Sequence, residues 1–213
     1  MEFFLRLLYN FNMTSPSSII DIRLDKLTYG GDAMGRLPDG RAVFVPFGLP
    51  GERVRVRLTE EKSGFARGEI IGITEASQER IQPKCPHFGT CGGCHYQNLS
   101  YEKQLAAKRE ILRDQLARIG KIEKPPVSEV VASPHPWNYR NHVQFHLTKE
   151  GKLGYVNARG NGVVPISECH LPETNINIFW RDIQFESNAE VKRVSLRAGE
   201  EDELLLILES DSP

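Results

Sequence analysis

The chain has 213 residues, of which 39% are hydrophobic and 26% are charged. This composition is typical of globular proteins and excludes disordered, collagenous and low-complexity chains. No apolar run approaches about 18 residues, so we expect no membrane-spanning helix and no membrane partner. The formal net charge is −1, but the last 33 residues carry 9 acidic and 4 basic side chains. The remainder is therefore mildly basic, which permits an anionic partner.

Residues 1–17 are predicted to be an N-terminal extension outside the fold. The stretch 1–12 is apolar but contains Glu2 and Arg6, and no small-residue cleavage site follows it. These features do not match a secretory signal peptide, and Met13 is an alternative start. We therefore expect a cytoplasmic protein, in which thiols stay reduced.

Residues 18–76 have the pattern of a small β-barrel. Strand-like runs occur at 19–24, 42–47, 52–58 and 66–73. Turn sequences rich in glycine and proline separate them, at 29–35, 38–40 and 50–51. Four or five short strands at this spacing predict a small closed barrel.

One predicted strand of the barrel carries an arginine stripe, consisting of Arg53, Arg55 and Arg57. The strand period of two places all three on one face, about 7 Å apart, which approximates the spacing of phosphates on a nucleic-acid strand. Lys62 and Arg67 extend this predicted RNA-binding face. The alternative is an ordinary solvated outer face of a barrel.

The segment 76–99 is loop-like and is followed by a predicted helix from Tyr101 to Ile119. Ser100 is the expected N-cap, and Gly120 follows the end of the helix. The predicted apolar face of the helix consists of Leu105, Leu112, Leu116 and Ile119.

Beyond Pro136 the chain returns to short strands. Strand patterns occur at 143–147, 151–156, 194–197 and 203–208. A second helix is expected within 173–192. Together with the first helix, these elements predict an α+β central domain over residues 77–213.

The four cysteines form the most informative pattern in the chain. Cys85, Cys91 and Cys94 make a C-x5-C-G-G-C motif, and Cys169 follows 75 residues later. In a reducing compartment this spacing suits a four-thiolate metal centre better than disulfides. The two glycines between Cys91 and Cys94 allow a tight turn that brings backbone amides towards sulfur, as around iron–sulfur clusters.

Two other interpretations of the cysteines are open. Structural zinc also takes four thiolates, or three with a histidine, and His87, His95 and His170 are near the cysteines in sequence. The paired C-x2-C motifs that are typical of zinc sites are not found. One cysteine could instead be a catalytic thiol. The spacing alone favours an iron–sulfur cluster over zinc only slightly.

Longer segments around the cysteines resemble bacterial RNA uracil-5-methyltransferases, in particular the branch that modifies 23S ribosomal RNA. Segment 85–97, CPHFGTCGGCHYQ, is similar to the family's cluster motif, and 166–171, ISECHL, to the segment with the fourth ligand. Residues 137–141 and 154–155 resemble the family's central domain. Three stretches resemble its TRAM domain, at 29–36, 44–46 and 50–52.

The resemblance implies a [4Fe–4S] cluster on all four cysteines and RNA, in particular ribosomal RNA, as the partner. No thiol then remains to attack carbon 6 of uracil, the step that activates carbon 5. S-adenosylmethionine would bind only in a further C-terminal domain. We expect that domain to be absent, because no glycine fingerprint follows a strand. We therefore predict no catalytic residue here and no methyl transfer by this chain alone.

The predicted fold class is a mixture of β and α/β structure. It comprises an OB-like TRAM barrel over residues 18–76 and an α+β iron–sulfur domain over 77–213, without a Rossmann-like methyltransferase domain. The predicted function is RNA recognition for an S-adenosylmethionine-dependent 23S rRNA (uracil-5-)-methyltransferase, with a structural cluster. Arg140 and His142 are further predicted RNA contacts, and roles in the core are equally open for both.

Two other functions remain. One is a stand-alone iron–sulfur or zinc RNA-binding module, which would work with a separate catalytic chain. The other is a small electron-transfer protein, which is disfavoured because the chain has no ferredoxin-like cysteine run.

Overall fold

The computed structural model describes residues 18–200 and 203–210. The predicted extension 1–17 lies outside the described residues. The described chain contains a closed five-stranded barrel and a separate five-stranded sheet. Within those ranges, no helix is both long enough and apolar enough to cross a membrane.

The barrel has the strand order β1-β2-β3-β5-β4. Its strands are β1 (Ile19–Leu27), β2 (Ala33–Arg36), β3 (Ala42–Val45), β4 (Arg53–Glu61) and β5 (Phe65–Glu75). Exposed and buried residues alternate along them, as the strand period requires, so apolar side chains point inward. Fully buried members of this core include Leu24, Val43, Val45, Val54 and Val56.

Strand β2 begins inside the segment that was predicted to be a turn. Gly30 and Gly31 have φ values of 94° and 98°, which suit glycine, and they complete the turn before Ala33. A Cβ on Gly35 would lie 2.5 Å from the carbonyl oxygen of Arg23 on β1. Gly35, which was assigned to the turn, is therefore required for close strand packing.

The second sheet has the strand order β10-β9-β6-β7-β8. Its strands are β6 (His142–Leu147), β7 (Leu153–Val156), β8 (Val163–Pro165), β9 (Val191–Ala198) and β10 (Leu204–Ser210). Helix α2 (Thr174–Asp182) buries Ile176 and Trp180 against this sheet. Phe145 on β6 is fully buried in the same core.

The α/β part of the predicted fold class is wrong. All four strand pairings in the second sheet are antiparallel. Several of its neighbouring strands follow each other through short connections, as β6 and β7 do, and a parallel pair would need a longer crossover. This part of the chain is therefore α+β.

Helix α1 (Tyr101–Arg118) begins as predicted, because the Ser100 side chain accepts a hydrogen bond from the backbone N–H of Lys103. Its predicted apolar face is only partly correct. Leu112 is 50% exposed and Ile119 is 66% exposed. The helix contacts the barrel core instead through Ala107 and Ile111, so only a narrow strip of it is covered.

A buried carboxylate connects the barrel to the segment that follows it. Glu52 is fully buried and accepts hydrogen bonds from Arg80 at 2.6 and 2.8 Å and from the backbone N–H of Leu49 at 2.9 Å. Arg80 also donates to the carbonyl of Phe47 at 2.8 Å. These bonds set the direction in which the chain leaves the barrel towards the cysteines.

Candidate metal centre and nucleic-acid interface

The segment 85–97, which carries three cysteines, lies between the barrel and the second sheet. On the barrel side, the ring of Phe88 packs edge-on against Phe47, with centroids 5.1 Å apart. On the sheet side, Gly92 N–H donates to the carbonyl of Val156 at 3.0 Å. A Cβ on Gly92 would lie 2.9 Å from that oxygen, so this approach requires glycine. The cysteine segment is therefore attached to both units.

The fourth cysteine, Cys169, is brought to this segment by hydrogen bonds of the chain around it. Nε2 of His87 accepts from the backbone N–H of Ser167 at 3.0 Å. The backbone N–H of Arg140 donates to the carbonyl of Leu171 at 2.9 Å. These bonds bring Cys169 to the same cavity as the other three thiols, although it is distant from them in sequence.

All four thiols line one cavity. Its walls are formed by the four cysteines together with Arg140, Tyr155 and the neighbouring loop residues. Each cysteine is partly buried, and none forms a disulfide. Within residues 18–200 and 203–210, no three His, Cys, Asp or Glu side chains converge closely enough to hold a single metal ion. The thiols therefore surround a shared space instead of converging on one point.

Hydrogen-bond donors point at two of the sulfur atoms. The backbone N–H of Gly93 donates to Cys91 Sγ at 3.4 Å, the type of contact that the glycine pair predicts. Gln97 Nε2 donates to Cys94 Sγ at 3.2 Å, and its Oε1 accepts from the backbone N–H of Cys85 at 3.1 Å. Gln97 is 7% exposed and was not singled out from the sequence. Such donors stabilise thiolate charge.

Two further side chains enter the cysteine cavity. Arg140 Nη2 donates to the carbonyl of Gly93 at 3.4 Å, which places the guanidinium among the thiols. The hydroxyl of Tyr155 is buried beside Cys169, and no described group makes a hydrogen bond of normal geometry with it. Burial, and then the nearby thiols, raise the pKa of Tyr155 above its ordinary value, so it stays a neutral donor.

The cavity disfavours free thiolates. Burial raises the pKa of Cys85, Cys91 and Cys169, and repulsion from Cys94 adds to each shift. A thiolate in such surroundings needs a compensating positive charge, which a bound metal or a guanidinium provides.

The predicted alternation on β4 is present. The arginine stripe is exposed and the apolar residues between its members are buried. Two of its three guanidiniums face carboxylates, since Arg53 lies 3.3 Å from Glu75 and Arg55 lies 3.1 Å from Asp21. These ion pairs reduce the positive charge that the stripe presents to phosphates.

Lys62 and Arg67, which were expected to extend the stripe, are paired in the same way. Lys62 Nζ lies 2.8 Å from Glu60. Arg67 lies 3.2 Å from Asp32, and its guanidinium also stacks 5.8 Å from the centroid of Phe65. The basic face of the barrel is therefore a mixed surface of both charges.

The structure does not bring the last two predicted RNA contacts to the stripe. Arg140 lies in the cysteine cavity. His142 is exposed at the start of β6, where it pairs with Arg197 on β9. These positions separate the predicted RNA contacts into three places.

A cavity beside the cysteines, which we call the aromatic groove, has no counterpart among the sequence predictions. Its volume is about 620 Å³, and it is bounded by segments 81–84, 93–108 and 130–139. Its principal side chains are Lys84, Tyr101, Lys108, Trp137 and Tyr139. They come from separate parts of the chain, so no local periodicity could have revealed them.

The sequence relatives of this chain include several RNA methyltransferases. Residues 16–71 match the TRAM domain. A protein of Nitratidesulfovibrio vulgaris named "uncharacterized RNA methyltransferase" is 40% identical over 71% of this chain and 33% of its own length. One of Thermosynechococcus vestitus with the same description is 36% identical over 74% of this chain and 36% of its own length. The chain thus spans about a third of these curated relatives.

A solved structure shares the fold. The crystal structure of the Pyrococcus abyssi tRNA (uracil-54, C5)-methyltransferase in complex with S-adenosyl-L-homocysteine aligns with 90% of this chain and 46% of its own. The TM-score is 0.57 and the sequence identity is 23%.

The prediction that a Rossmann-like methyltransferase domain is absent is wrong. The structural likeness is to a methyltransferase crystallised with S-adenosyl-L-homocysteine, and it covers nearly the whole chain. The prediction relied on a missing glycine fingerprint, which cradles the pyrophosphate of a dinucleotide. S-adenosylmethionine carries no phosphate, so that motif does not test for a methyltransferase domain.

The comparisons agree on one group of proteins, those named RNA methyltransferases. Its sequence is homologous to RNA methyltransferases over more than two thirds of its length, and its fold resembles one such enzyme. The chain therefore carries a TRAM domain and is related to proteins named RNA methyltransferases.

Proposed function

We propose that this chain provides RNA recognition for an S-adenosylmethionine-dependent RNA (uracil-5-)-methyltransferase that acts on 23S ribosomal RNA in the cytoplasm. The observation that carries the proposal is the set of four thiols around one cavity, placed between a TRAM barrel and the second sheet. The related proteins named RNA methyltransferases support the reaction class. S-adenosylmethionine would supply the methyl group.

The proposal includes a [4Fe–4S] cluster held by Cys85, Cys91, Cys94 and Cys169. Thiolates on a cubane cluster bind four different irons, so they stand further apart than four ligands on one ion. All four thiols line one cavity, and no three of the described His, Cys, Asp or Glu side chains converge on a single ion, which supports the cluster over zinc. His87 also has its Nε2 occupied by the Ser167 N–H. The cluster's role would be structural, joining the 85–97 segment to the chain near Cys169.

The donor set of the cavity also fits a cluster. Gly93 and Gln97 donate to sulfur, and Arg140 brings a positive charge to an anionic centre. The buried Tyr155 hydroxyl lies beside Cys169 and forms no hydrogen bond of normal geometry with a described residue, so it could donate to a cluster sulfur. These residues would hold and stabilise the cluster without reacting with substrate.

We propose two functional units, with boundaries at residues 18–76 and 77–213. The first is the TRAM barrel, whose arginine stripe, Lys62 and Arg67 would contact the RNA backbone once their carboxylate partners are displaced or rearranged. The second is the iron–sulfur domain. We propose no methyl-transfer role for the four cysteines, because all of them would be cluster ligands.

Anaerobic purification followed by iron and sulfide assay and a visible spectrum tests the cluster. We expect about four irons and four sulfides per chain. Stoichiometric zinc without sulfide would replace the cluster by a zinc site, and a chain free of metal would refute the metal centre.

Binding of ribosomal RNA fragments and tRNA to the same preparation tests the RNA partner. We expect tighter binding of a 23S fragment than of tRNA. The reverse order would contradict the proposed substrate, and no binding to either RNA would contradict the proposed function.

A further inference from the structure

We propose that the aromatic groove binds the unstacked bases of a single-stranded RNA segment next to the cysteine cavity. This inference rests on the proposed function and assigns the RNA a specific place on the chain. The groove lies between the start of α1 and segments 81–84 and 130–139. Its volume of about 620 Å³ is within the range of pockets that enclose small organic ligands, which includes a nucleobase with its ribose.

The groove presents aromatic surfaces that are available for stacking. Tyr139 is 52% exposed. Trp137 is partly exposed, and its ring is braced edge-on by His170, with centroids 5.8 Å apart. Bases stack on such side chains with little dependence on sequence, because every base has a π-face. Both rings line the groove, so each can offer a face to an unpaired base.

The backbone holds these rings in place. Asn138, between the two aromatic residues, has φ of 53°, and its side-chain Nδ2 donates to the carbonyl of Pro172 at 2.8 Å. Its backbone N–H donates to the carbonyl of His170 at 2.9 Å. On the other wall, the Tyr101 hydroxyl accepts from the backbone N–H of Ser133 at 2.8 Å. The stacking surface is therefore formed before the ligand arrives, which lowers the entropy cost of binding.

The charge of the groove suits RNA better than that of the arginine stripe. Two lysines, Lys84 and Lys108, and two histidines, His95 and His135, line it, and none of its described lining residues is Asp or Glu. Lys84 Nζ lies 5.2 Å from the centroid of the Trp137 ring. The stripe, in contrast, faces carboxylates at two of its three arginines. A phosphate in the groove would meet cations without displacing an ion-pair partner.

The groove adjoins the cysteine cavity. Gly93, Cys94, Gln97 and Leu171 line both of them. An RNA segment in the groove would therefore lie against the cysteine segment 85–97. Residues of the cysteine segment form part of the groove wall, so the conformation of that segment would affect RNA binding. Duplex RNA keeps its bases stacked and paired, so the groove selects single strands.

The test measures binding of the full, cluster-containing chain to a fluorescein-labelled single-stranded RNA of about 12 nucleotides and to the same sequence as a duplex. We expect Tyr139→Ala to weaken single-strand binding about ten-fold or more, because a stacked base is lost. Tyr139→Phe should retain binding. Phe179→Ala is the matched control, since Phe179 is 40% exposed on α2 and does not line the groove.

A charge variant tests the same site independently of stacking. Lys84→Gln with Lys108→Gln should lower the slope of log Kd against log salt by about 0.7 for each lost phosphate contact. Lys149→Gln makes the same change at an exposed lysine outside the groove. The groove is supported if only the groove pair changes the slope.

The outcomes separate this inference from the proposed function. If the wild-type chain binds RNA and Tyr139→Ala binds as Phe179→Ala does, the groove is not the site, and the proposed function stands. Equal affinity for duplex and single strand also overturns the groove. No RNA binding by the wild type overturns both. The visible spectrum and melting temperature of each variant, which we expect to match wild type, show that it is folded.

Discussion

Arg140 is the one cationic side chain that contacts the cysteine segment inside the cavity, among the residues that the structure describes there. A [4Fe–4S] centre with four thiolates is anionic, and a partly buried guanidinium compensates that charge more strongly than it would in water. This position gives Arg140 a role in the proposed metal centre, although its sequence context had suggested an RNA contact.

Arg140→Gln should therefore weaken retention of the cluster. Substitution of a residue that supports the metal ligands typically lowers metal affinity by about 10- to 100-fold. We expect faster bleaching of the visible absorption in air, by a factor of several or more. Arg36→Gln, at an exposed arginine on β2, is the control. Equal bleaching of the two variants would remove Arg140 from the site.

Tyr155 allows a different test, because its hydroxyl is buried beside Cys169 and makes no hydrogen bond of normal geometry with a described residue. In Tyr155→Phe the ring is kept and the donor is lost. A hydrogen bond to a cluster sulfur stabilises the more negative reduced state, so its loss should lower the midpoint potential of the cluster. Protein-film voltammetry measures this shift. Tyr139→Phe removes a hydroxyl outside the cavity and should leave the potential unchanged.

At Gly92 the backbone of the cysteine segment contacts the backbone of β7 at Val156. A methyl group in Gly92→Ala would lie 2.9 Å from the Val156 carbonyl oxygen, so the loop must shift. We expect a loss of about 2 kcal/mol in the free energy of unfolding, together with incomplete iron loading. Urea unfolding and iron assay check both. Gly64→Ala is a suitable control, because nothing lies within 4 Å of its Cβ.

Among the elements, β4 shows what the alternation of residues along a strand can predict and what it cannot. Its alternation correctly placed the arginine stripe outside and the valines inside, because the period of a strand is a local property. The same pattern contained no sign of Asp21 on β1, which pairs with Arg55 across the barrel. The charge of a strand face depends on its neighbours, and these come from elsewhere in the chain.

In helix α1, the start was predictable from the sequence but the buried face was not. Its N-cap was predictable from Ser100, since capping depends on a few adjacent residues. Its buried face was not, because the apolar contacts of the helix with the barrel core run through Ala107 and Ile111. Leucines at helical spacing indicate a face without showing whether anything covers it.

The connection after β5 depends on the Glu52–Arg80 ion pair. Burial alone would raise the pKa of Glu52, but hydrogen bonds from Arg80 and from the Leu49 and Ser77 amides outweigh it, so the pKa lies below its ordinary value of 4.5. A depressed folded-state pKa stabilises the protein above the unfolded value. That contribution is lost as the pH falls below about 4.5 and through the folded-state pKa.

Glu52→Gln should consequently destabilise the chain at neutral pH by about 3 kcal/mol, because the Arg80 charge loses its partner. Urea titrations at pH 7 and at successively lower pH measure the difference between variant and wild type. We expect the difference to shrink below pH 4.5. A difference that is constant with pH would mean that the carboxylate charge is not what stabilises this connection.

For the whole molecule, the cluster would act as a cross-link. Cys94 and Cys169 are 75 residues apart, and closing a loop of this size restricts the unfolded chain by about 4 kcal/mol in the entropic account of cross-links. Removal of iron with an oxidant and a chelator should lower the melting temperature, and Cys169→Ser should do so without chelation. A melting temperature unaffected by iron removal would contradict the structural role of the cluster.

The sequence by itself determined the inward and outward faces of the barrel strands, the start of α1 and the four thiols that could act together. Each depends on adjacent residues or on the small number of cysteines. Only the tertiary structure decided that Arg140 and Tyr155 enter the thiol cavity and that carboxylates pair with the arginine stripe. It also decided that Trp137, Tyr139 and Lys108 line one groove. These contacts join segments far apart in sequence, where no local period specifies which side chains meet.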